Sequence, residues 1–499
     1  MSGPSLIALA LLLPTITAGL IPLFSARPNV REGTTLVGAV ALFLTVLQLV
    51  PDVFNGGRPG LHVIDVLPGL SIAFSVEPLG MLFAMVASGL WIVNSLYSIG
   101  YMRAEKAPRQ TSFYVCFAVA IAGAMGVSLA GNLFTLFLFY EVLTLSTYPL
   151  VTHRASPEAM RAGRLYLLML LGASTLLLLP AIAWTGFAAG TLDFAPGGIL
   201  VGKLGNFALP ALLGLFVFGT AKAAVFPLHY WLPAAMIAPT PVSALLHAVA
   251  VVKAGVFTVL KIIVYVFGID TLAAAGAAEW LVYVAGLTVV GASLVALRQD
   301  DLKRRLAYST VSQLSYVVMG AALASITGVV GAGLQIAMHA AGKITLFFCA
   351  GAIAVASHKY KVSELAGIGR VMPVTMTAFL IGSLSIIGLP PFGGMWSKWW
   401  LIVAAAERGS LFVIVVLILS TLLNVAYLLS IVAKAFFSAP PGEREEKKVK
   451  IAEAPLACVI PLSLTALLCV VLFFQVGFLE GLLLGIFSDY RTDGAVPDG

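Results

Sequence analysis

Residues 220–261 read TAKAAVFPLHYWLPAAMIAPTPVSALLHAVAVVKAGVFTVLK, and this stretch decides the fold. It is apolar enough to lie in a membrane, yet it contains Lys222, His229, His247, Lys253 and Lys261 together with four prolines. An ionisable side chain at bilayer depth costs about 2.5–3.5 kcal/mol on insertion scales. Prolines inside a span free backbone carbonyls that only protein or trapped water can satisfy. Buried lysines beside a broken helix therefore indicate a path for ions through a membrane protein.

The composition of the 499-residue chain also indicates a membrane protein. Hydrophobic residues make up 60% and charged residues 10%, whereas a soluble domain has about 25% charged residues. The sequence has no Walker A or dinucleotide-binding motif, and its four cysteines lie in apolar runs without metal-ligand spacing. We therefore expect no cofactor, no metal ion and no redox or hydrolytic chemistry in this chain. The net charge of +7 follows from the loops and does not suggest nucleic-acid binding.

The length of the apolar runs predicts an all-α polytopic membrane protein. About twenty residues cross the bilayer core as a helix, and this length predicts fourteen transmembrane helices. They are expected at 4–24, 34–53, 71–100, 112–130, 132–151, 163–187, 206–228, 239–267, 272–297, 304–323, 326–357, 371–405, 409–436 and 453–484.

The basic residues of the loops support this count independently. Loops after odd-numbered helices carry most of the basic residues, and the opposite loops contain only Arg58, Lys203, Arg408 and Arg491. The positive-inside rule then places the basic loops in the cytoplasm and both termini outside it. The hydrophilic segment at 440–450, PPGEREEKKVK, is expected to be a solvated cytoplasmic loop.

Several ionisable residues fall inside the predicted spans. The carboxylates well inside are Glu77, whose role the sequence leaves open, and Glu141. Lys261 lies near a helix end, and we expect its side chain to extend to the membrane interface. The other intramembrane lysines cannot easily do so; they are Lys222, Lys253, Lys343 and Lys398.

Glu141 lies among phenylalanines and leucines in the fifth helix. An isolated carboxyl group there would be protonated and neutral, whereas one beside an ammonium stays ionised. Lys222 in the seventh helix is the expected partner. The alternative is a static pair that only fixes helix register. Because four lysines and one carboxylate do not neutralise one another, we favour lysines that are neutral part of the time, as a proton relay requires.

Two histidines are candidate relay residues. His339 and Lys343 are four residues apart and share a helix face, so a proton could pass between them through a water. His247 lies six residues before Lys253. Imidazole donates and accepts protons near neutral pH. The alternative for both is a satisfied core histidine.

A second interrupted helix is predicted at 388–398, GLPPFGGMWSK, where two prolines and nearby glycines precede Lys398. Together with the break near Pro227, it suggests an internal repeat with sites at the breaks.

Four blocks resemble one protein family. They are FYEVLTLSTYPLV at 139–151, KAAVFPLHYWLPAAMIAPTPVSALLHAVAVVKAG at 222–255, DLKRRLAYSTVSQLSYV at 301–317 and GLPPFGGMWSKW at 388–399. Their order and spacing resemble the antiporter-like proton-translocating subunits of respiratory complex I and of Mrp-type cation/proton antiporters, over roughly residues 70–435. The resemblance implies two inverted five-helix repeats, helices 4–8 and 9–13, with helices 7 and 12 broken. The corresponding regions are 1–110 (helices 1–3), 111–268 (first repeat), 269–437 (second repeat) and 438–499 (loop, helix 14 and tail).

The same resemblance implies roles for individual residues. Glu141 and Lys222 are similar to the family's ion pair, and Lys253 to its central lysine. Lys343 is similar to a second-half relay residue, and Lys398 to the terminal lysine on the exit side. In the mechanism proposed for the family, protons move along a polar axis at mid-membrane and each ion pair responds to its neighbour.

The implied function is proton translocation within a multi-subunit Na⁺ or K⁺/proton antiporter, with a D-type subunit favoured. The alternative is a subunit of complex I or of a membrane-bound hydrogenase-like complex. Expected partners are homologous membrane subunits, the lipid bilayer, protons and Na⁺ or K⁺, in the cytoplasmic (inner) membrane of a prokaryote. A self-sufficient carrier for an organic solute is disfavoured, because the polar groups follow the membrane plane without converging on one pocket.

Overall fold

The computed structural model of the chain describes residues 1–205, 207–438 and 450–490. Most of the hydrophilic segment at 440–450 lies outside these residues. Fourteen helical segments, two of them broken, correspond to the predicted helices and follow one another along the described chain. They are α1 (Gly3–Leu20), α2 (Pro28–Phe54), α3 (Pro78–Ala104), α4 (Gln110–Ser128), α5 (Leu133–Val151), α6 (Pro157–Ala189), α7 (Ala208–Gly219 and Trp231–Ala234), α8 (Thr240–Phe267), α9 (Glu279–Arg298), α10 (Leu302–Ala322), α11 (Ile326–Ser357), α12 (Pro373–Ile387 and Gly394–Glu407), α13 (Leu411–Phe437) and α14 (Leu456–Phe474).

This architecture confirms the predicted all-α membrane fold and its helix count. In the described residues, 11 continuous helices are long and apolar enough to cross a membrane. The other three segments are the broken α7 and α12 and the more polar α10. The inverted relation between the two halves and the four region boundaries stay predictions.

A β-hairpin precedes α3, where the sequence predicted the start of a helix at residue 71. Strands β1 (Gly60–Leu67) and β2 (Leu70–Ser75) pair antiparallel. The helix prediction was wrong here because an apolar run of this length does not distinguish a strand from a helix. The turn residues Pro68 and Gly69 mark the hairpin.

Two predicted helices are each divided. The predicted helix at 272–297 consists of the end of a short helix, Ile269–Ala275, and α9, with Gly276 in a left-handed conformation between them. The prediction for 453–484 likewise covers α14 and a separate helix, Val476–Leu484. Apolar composition continued through both turns, so hydropathy alone did not reveal them.

The breaks in α7 and α12 lie beside lysines. After Gly219, α7 tightens into a 3₁₀ turn at Ala221–Ala223, and helix returns at Trp231. The predicted end at residue 228 was therefore wrong, because the helix resumes after the break. The first part of α12 ends at Gly388, and a Cβ at Gly394 would come within 1.8 Å of the Ser385 carbonyl oxygen. Only glycine allows the two parts of α12 to meet this closely.

The basic loops lie on one face of the molecule, which we call the basic face. It comprises the connections α1–α2, α3–α4, α5–α6, α9–α10, α11–α12 and α13–α14. Contacts between these connections and the adjoining helix ends join them in two groups of three. In the first group, Arg103 contacts Glu32 and Arg109 contacts the His153 carbonyl. In the second group, Ser363 N donates to Asp300 Oδ1 at 2.9 Å, and Gly367 N donates to the Lys434 carbonyl at 3.4 Å. The predicted alternation of basic loops is thus matched by direct contacts.

The opposite face carries the hairpin, and we call it the hairpin face. Gly131 N donates to the Ala73 carbonyl at 2.9 Å, which joins the α4–α5 connection to β2. Arg58 Nη2 donates to the Gly485 carbonyl at 2.9 Å and brings the segment after α14 to the same face.

Helices α8 and α11 form the centre of the molecule. The most apolar 18-residue window is 100% buried in α8 and 83% buried in α11. Charged side chains on these helices are therefore enclosed by protein along most of the helix length.

Candidate functional site

Lys222 lies in the 3₁₀ turn of the α7 break, and neighbouring side chains hold its main chain. Trp231 Nε1 donates to the Ala221 carbonyl at 3.0 Å, and Lys222 N donates to the Tyr140 hydroxyl at 3.3 Å. On α8, a Cβ at Gly255 would come within 2.3 Å of this turn. The backbone around Lys222 is fixed on several sides, whereas its side chain has rotatable bonds.

The ammonium of Lys222 binds to α5. Its Nζ donates to the Tyr140 carbonyl at 2.9 Å and to Thr144 Oγ1 at 2.6 Å, and it lies 3.1 Å from the centre of the Tyr140 ring. The expected ion pair with Glu141 is not formed, which corrects the sequence-based expectation. The ammonium is held instead by the Tyr140 carbonyl and by Thr144, which lies three residues after Glu141 on the same helix.

Glu141 is half-buried on α5, and both oxygens of its carboxylate are buried. Neither carboxylate oxygen has a hydrogen-bond partner among the described residues.

Lys253 and His339 meet at the centre of the molecule. Lys253 Nζ lies 2.7 Å from His339 Nδ1, and both side chains are buried. The sequence placed His339 with Lys343 on one helix face, but the direct partner of His339 is Lys253 on α8. His247 is also buried, in a π-helical turn of α8 at Leu245–Val249, with its ring 4.6 Å from that of Phe347. Within the described chain, neither nitrogen of His247 has a partner.

Lys343 begins a chain of hydrogen bonds through the second half of the protein. Its Nζ donates to Ser309 Oγ at 2.6 Å and to the Leu306 carbonyl at 3.2 Å. The Tyr427 hydroxyl donates to Ser309 Oγ at 2.8 Å and also contacts Asn424. The route thus passes from α11 through α10 to α13.

Lys398 lies at the far end of this route. Its Nζ donates to the Ile387 carbonyl at 2.7 Å, across the α12 break, and to Thr421 Oγ1 at 3.0 Å. Thr421 and Asn424 are three residues apart on α13, so about one helical turn separates the partner of Lys398 from the residue that contacts Tyr427.

Comparisons with known proteins agree with this geometry. The profile of the NADH:quinone oxidoreductase/Mrp antiporter transmembrane family matches residues 130–424. The chain belongs to this family. All seven candidate residues lie in the matched range; they are Glu141, Lys222, His247, Lys253, His339, Lys343 and Lys398.

Relatives in this family align over nearly the whole chain. The chain is 30% identical over 477 residues to the N-type subunit of NADH-quinone oxidoreductase from Desulforudis audaxviator (strain MP104C), covering 91% of this chain and 94% of that one. It is 27% identical to the D-type subunit of a Na⁺/H⁺ antiporter from Alkalihalophilus pseudofirmus, with 93% of each covered. A chain in the structure of the Mrp complex from Dietzia sp. DQ12-45-1b shares the fold, with a TM-score of 0.87, 23% identity and 99% and 98% coverage.

Two buried charges of this antiporter-family chain form a pair that the sequence did not predict. Lys261 Nζ lies 2.8 Å from Glu77 Oε1 and donates to the Ala130 carbonyl at 2.8 Å. The expectation that Lys261 extends to the interface was wrong, because its side chain is fully buried and paired. Glu77 also caps α3 by accepting from Gly80 N at 2.9 Å.

Sequence reasoning missed the neutral residues that contact the lysines. On α10 a stripe of polar residues with helical spacing comprises Ser309, Ser312, Gln313 and Tyr316, and within it Ser309 binds Lys343. Gln313 joins Gln335 at 2.9 Å, and Gln335 accepts from Ser397 at 2.6 Å, next to Lys398. A stripe of polar residues inside an apolar span was the available signal, since such residues need partners in a membrane.

Proposed function

We propose that this chain is the proton-translocating subunit of a multi-subunit Na⁺ or K⁺/proton antiporter. The observation that carries the proposal is the contact between Lys253 and His339. A hydrogen bond between two nitrogens needs one donor and one acceptor, so the pair cannot hold two positive charges in this arrangement. One basic group is therefore neutral at the centre of the membrane, as a proton carrier must be.

The proposed path extends from this pair in both directions. Towards α12, Ser309, Tyr427 and Asn424 connect Lys343 with the vicinity of Lys398. Towards α7, His247 and Lys222 are the next titratable groups, and waters would complete this part of the path. The cations that compete with protons are proposed to be Na⁺ or K⁺, in keeping with the relatives that are named as subunits of Na⁺/H⁺ antiporters.

Glu141 is proposed to be the alternative partner of Lys222, as the family resemblance implies. Its carboxylate oxygens are buried and have no hydrogen-bond partner among the described residues. Glu141 lies three residues before Thr144 on α5, so rotation of the Lys222 side chain would move its ammonium from one to the other. The similar chains are named as subunits, and one of them comes from a structure of an Mrp complex, so homologous membrane subunits are the proposed partners of the chain.

We assign the basic face to the cytoplasm, so both termini lie outside it. The basis is the concentration of arginine and lysine on that face. The seven candidate residues, the four regions and their inverted relation belong to the same proposal.

A complex I-like respiratory subunit is the second candidate. The 30% identity to an N-type subunit of NADH-quinone oxidoreductase, over 94% of its length, favours it. In either assignment the chain moves protons and the driving reaction takes place elsewhere.

The test expresses the complete native operon in a host without its own antiporters and uses everted membrane vesicles. The wild type is compared with Lys222→Ala and Glu141→Ala, and Lys203→Ala, in an exposed loop, is the matched control. Loss of cation-dependent dissipation of the proton gradient in the first two variants, at normal assembly, supports the antiporter. Loss of quinone-linked pumping without any cation effect identifies the respiratory subunit instead. Unchanged transport in both variants contradicts the proposed roles.

A further inference from the structure

Three buried lysines are bound in the same way. Each ammonium contacts one main-chain carbonyl and one side-chain hydroxyl. Lys222 binds the Tyr140 carbonyl and Thr144, Lys343 binds the Leu306 carbonyl and Ser309, and Lys398 binds the Ile387 carbonyl and Thr421, with all six distances between 2.6 and 3.2 Å. We call each carbonyl and its hydroxyl a lysine cradle.

Two of these cradles are formed by a single turn of helix. Thr144 lies four residues after Tyr140 on α5, and Ser309 lies three residues after Leu306 on α10. The Thr144 hydroxyl donates to the Tyr140 carbonyl at 3.1 Å, which leaves its oxygen free to accept from Lys222. A serine or threonine three or four residues after a main-chain carbonyl of the same helix thus places its hydroxyl beside that carbonyl. The hydroxyl and the carbonyl together accept from the lysine.

A neutral cradle suits a lysine that changes its charge. A hydroxyl accepts a hydrogen bond from an ammonium and can donate one to a neutral amine. A carboxylate would instead favour the ammonium alone. In the described parts of the chain, no carboxylate lies within 4.0 Å of Lys222, Lys343 or Lys398, whereas Lys261 does pair with Glu77.

We propose that Thr144, Ser309 and Thr421 are positioning residues that dock the translocating lysines in both protonation states. This inference rests on the proposed function. At Lys222 the cradle competes with Glu141, which lies on the same helix. Because Trp231 and Tyr140 fix the main chain, Lys222 changes partner by rotation of its side chain and not by movement of α7.

The test compares Thr144→Val with Thr144→Ser in the complete complex in everted vesicles. Valine keeps the branched shape but cannot accept from Lys222, and serine keeps the hydroxyl. Thr185→Val on α6 is the control, because among the described residues that buried hydroxyl bonds only to the Ala181 carbonyl of its own helix.

We expect Thr144→Val to assemble normally, to lower the transport rate about tenfold and to move the alkaline limb of the pH profile about one unit towards acid. The reason is that the ammonium of Lys222 loses an acceptor and gives up its proton more readily. Thr144→Ser and Thr185→Val should retain the wild-type rate and profile. A wild-type rate and profile in Thr144→Val, in a complex that Lys222→Ala inactivates, would overturn the inference.

The wild type and Lys222→Ala report on the proposed function, and the valine–serine comparison reports on the cradle. If Thr144→Val does not assemble, Ser309→Ala and Ser309→Thr test the same inference on α10. Ser315→Ala is the control there, since within the described parts of the chain this buried hydroxyl bonds to the Val311 carbonyl alone. Loss of transport and an acid shift in Ser309→Ala, with rescue in Ser309→Thr, supports the cradle. Equal behaviour of Ser309→Ala and Ser315→Ala overturns it.

Discussion

Lys253 on α8 and His339 on α11 form a direct contact, with 2.7 Å between Nζ and Nδ1. Both side chains are buried in the centre of the molecule. The second ring nitrogen of His339 has no partner among the described residues, so it is free to exchange a proton with a trapped water. Lys253 and His339 can therefore share one proton and pass it on.

Replacing His339 with glutamine tests whether this histidine carries the proton. The Gln amide can still accept from Lys253, but it does not titrate. We expect His339→Gln to assemble normally and to lower the initial transport rate by about tenfold or more. The rate of gradient dissipation in vesicles measures this, with His229→Gln at the partly exposed α7 break as control. A wild-type rate in His339→Gln would show that His339 is a structural residue.

Replacing Tyr427 with phenylalanine tests the route between Lys343 and Lys398. The change removes the hydroxyl that joins Ser309 and Asn424 but keeps the ring. We expect transport to fall about tenfold, at unchanged assembly, because a hydrogen-bonded link is lost. Tyr308→Phe, on the same helix as Ser309, should have no effect. If both variants transport equally well, the route does not pass through Tyr427.

The pair of Glu77 and Lys261 should contribute to stability. Removing one partner leaves a buried charge unpaired, and this costs about 3–5 kcal/mol of unfolding free energy. We expect Glu77→Gln and Lys261→Met each to lower the thermal midpoint of the purified complex. The double variant should lose less than the sum of the two, because no unpaired charge remains. Asp270→Asn, at an exposed helix start, is the control, and strictly additive losses would contradict the pairing.

The α5–α6 connection should loosen as the pH falls. Burial, and then the nearby Arg109 guanidinium, lower the pKa of His153 below its usual value. The neutral ring thus stabilises the fold fully above about pH 6.5, and this contribution is lost as the pH falls through the lowered pKa. Hydrogen exchange of residues 152–156, corrected for its intrinsic pH dependence, should rise more in the wild type than in His153→Gln between about pH 7.5 and about pH 5.5. Equal changes would contradict the assignment.

Much of the fold followed from the sequence because a membrane imposes simple constraints. Apolar runs of about twenty residues can lie only as helices in lipid, and so the number of spans was predictable. The prolines near Lys222 and Lys398 likewise predicted both breaks. The hairpin was not predictable from hydropathy, because a short run such as residues 71–75 is apolar enough for either a strand or the first turns of a helix.

The contacts of the site were less predictable because they join distant parts of the chain. Lys253 and His339 are 86 residues apart, and Lys261 and Glu77 are on helices far apart in sequence. Helix spacing correctly placed His339 and Lys343 on one face of α11. Their partners on α8 and α10 depend on how these two helices pack against α11, and the sequence does not show this packing. Lys222 binds the Tyr140 carbonyl and Thr144 in place of Glu141, although all three are on α5, and the sequence alone does not distinguish between such neighbouring partners.

The most direct test of the account is proton movement through a complex that carries Lys253→Met. Methionine keeps an unbranched apolar chain but cannot bind a proton. The purified complete complex is reconstituted in liposomes with an internal pH-sensitive dye, and the wild type is measured in parallel. The account predicts that the variant assembles and moves no protons. Proton movement at the wild-type rate in Lys253→Met would contradict it.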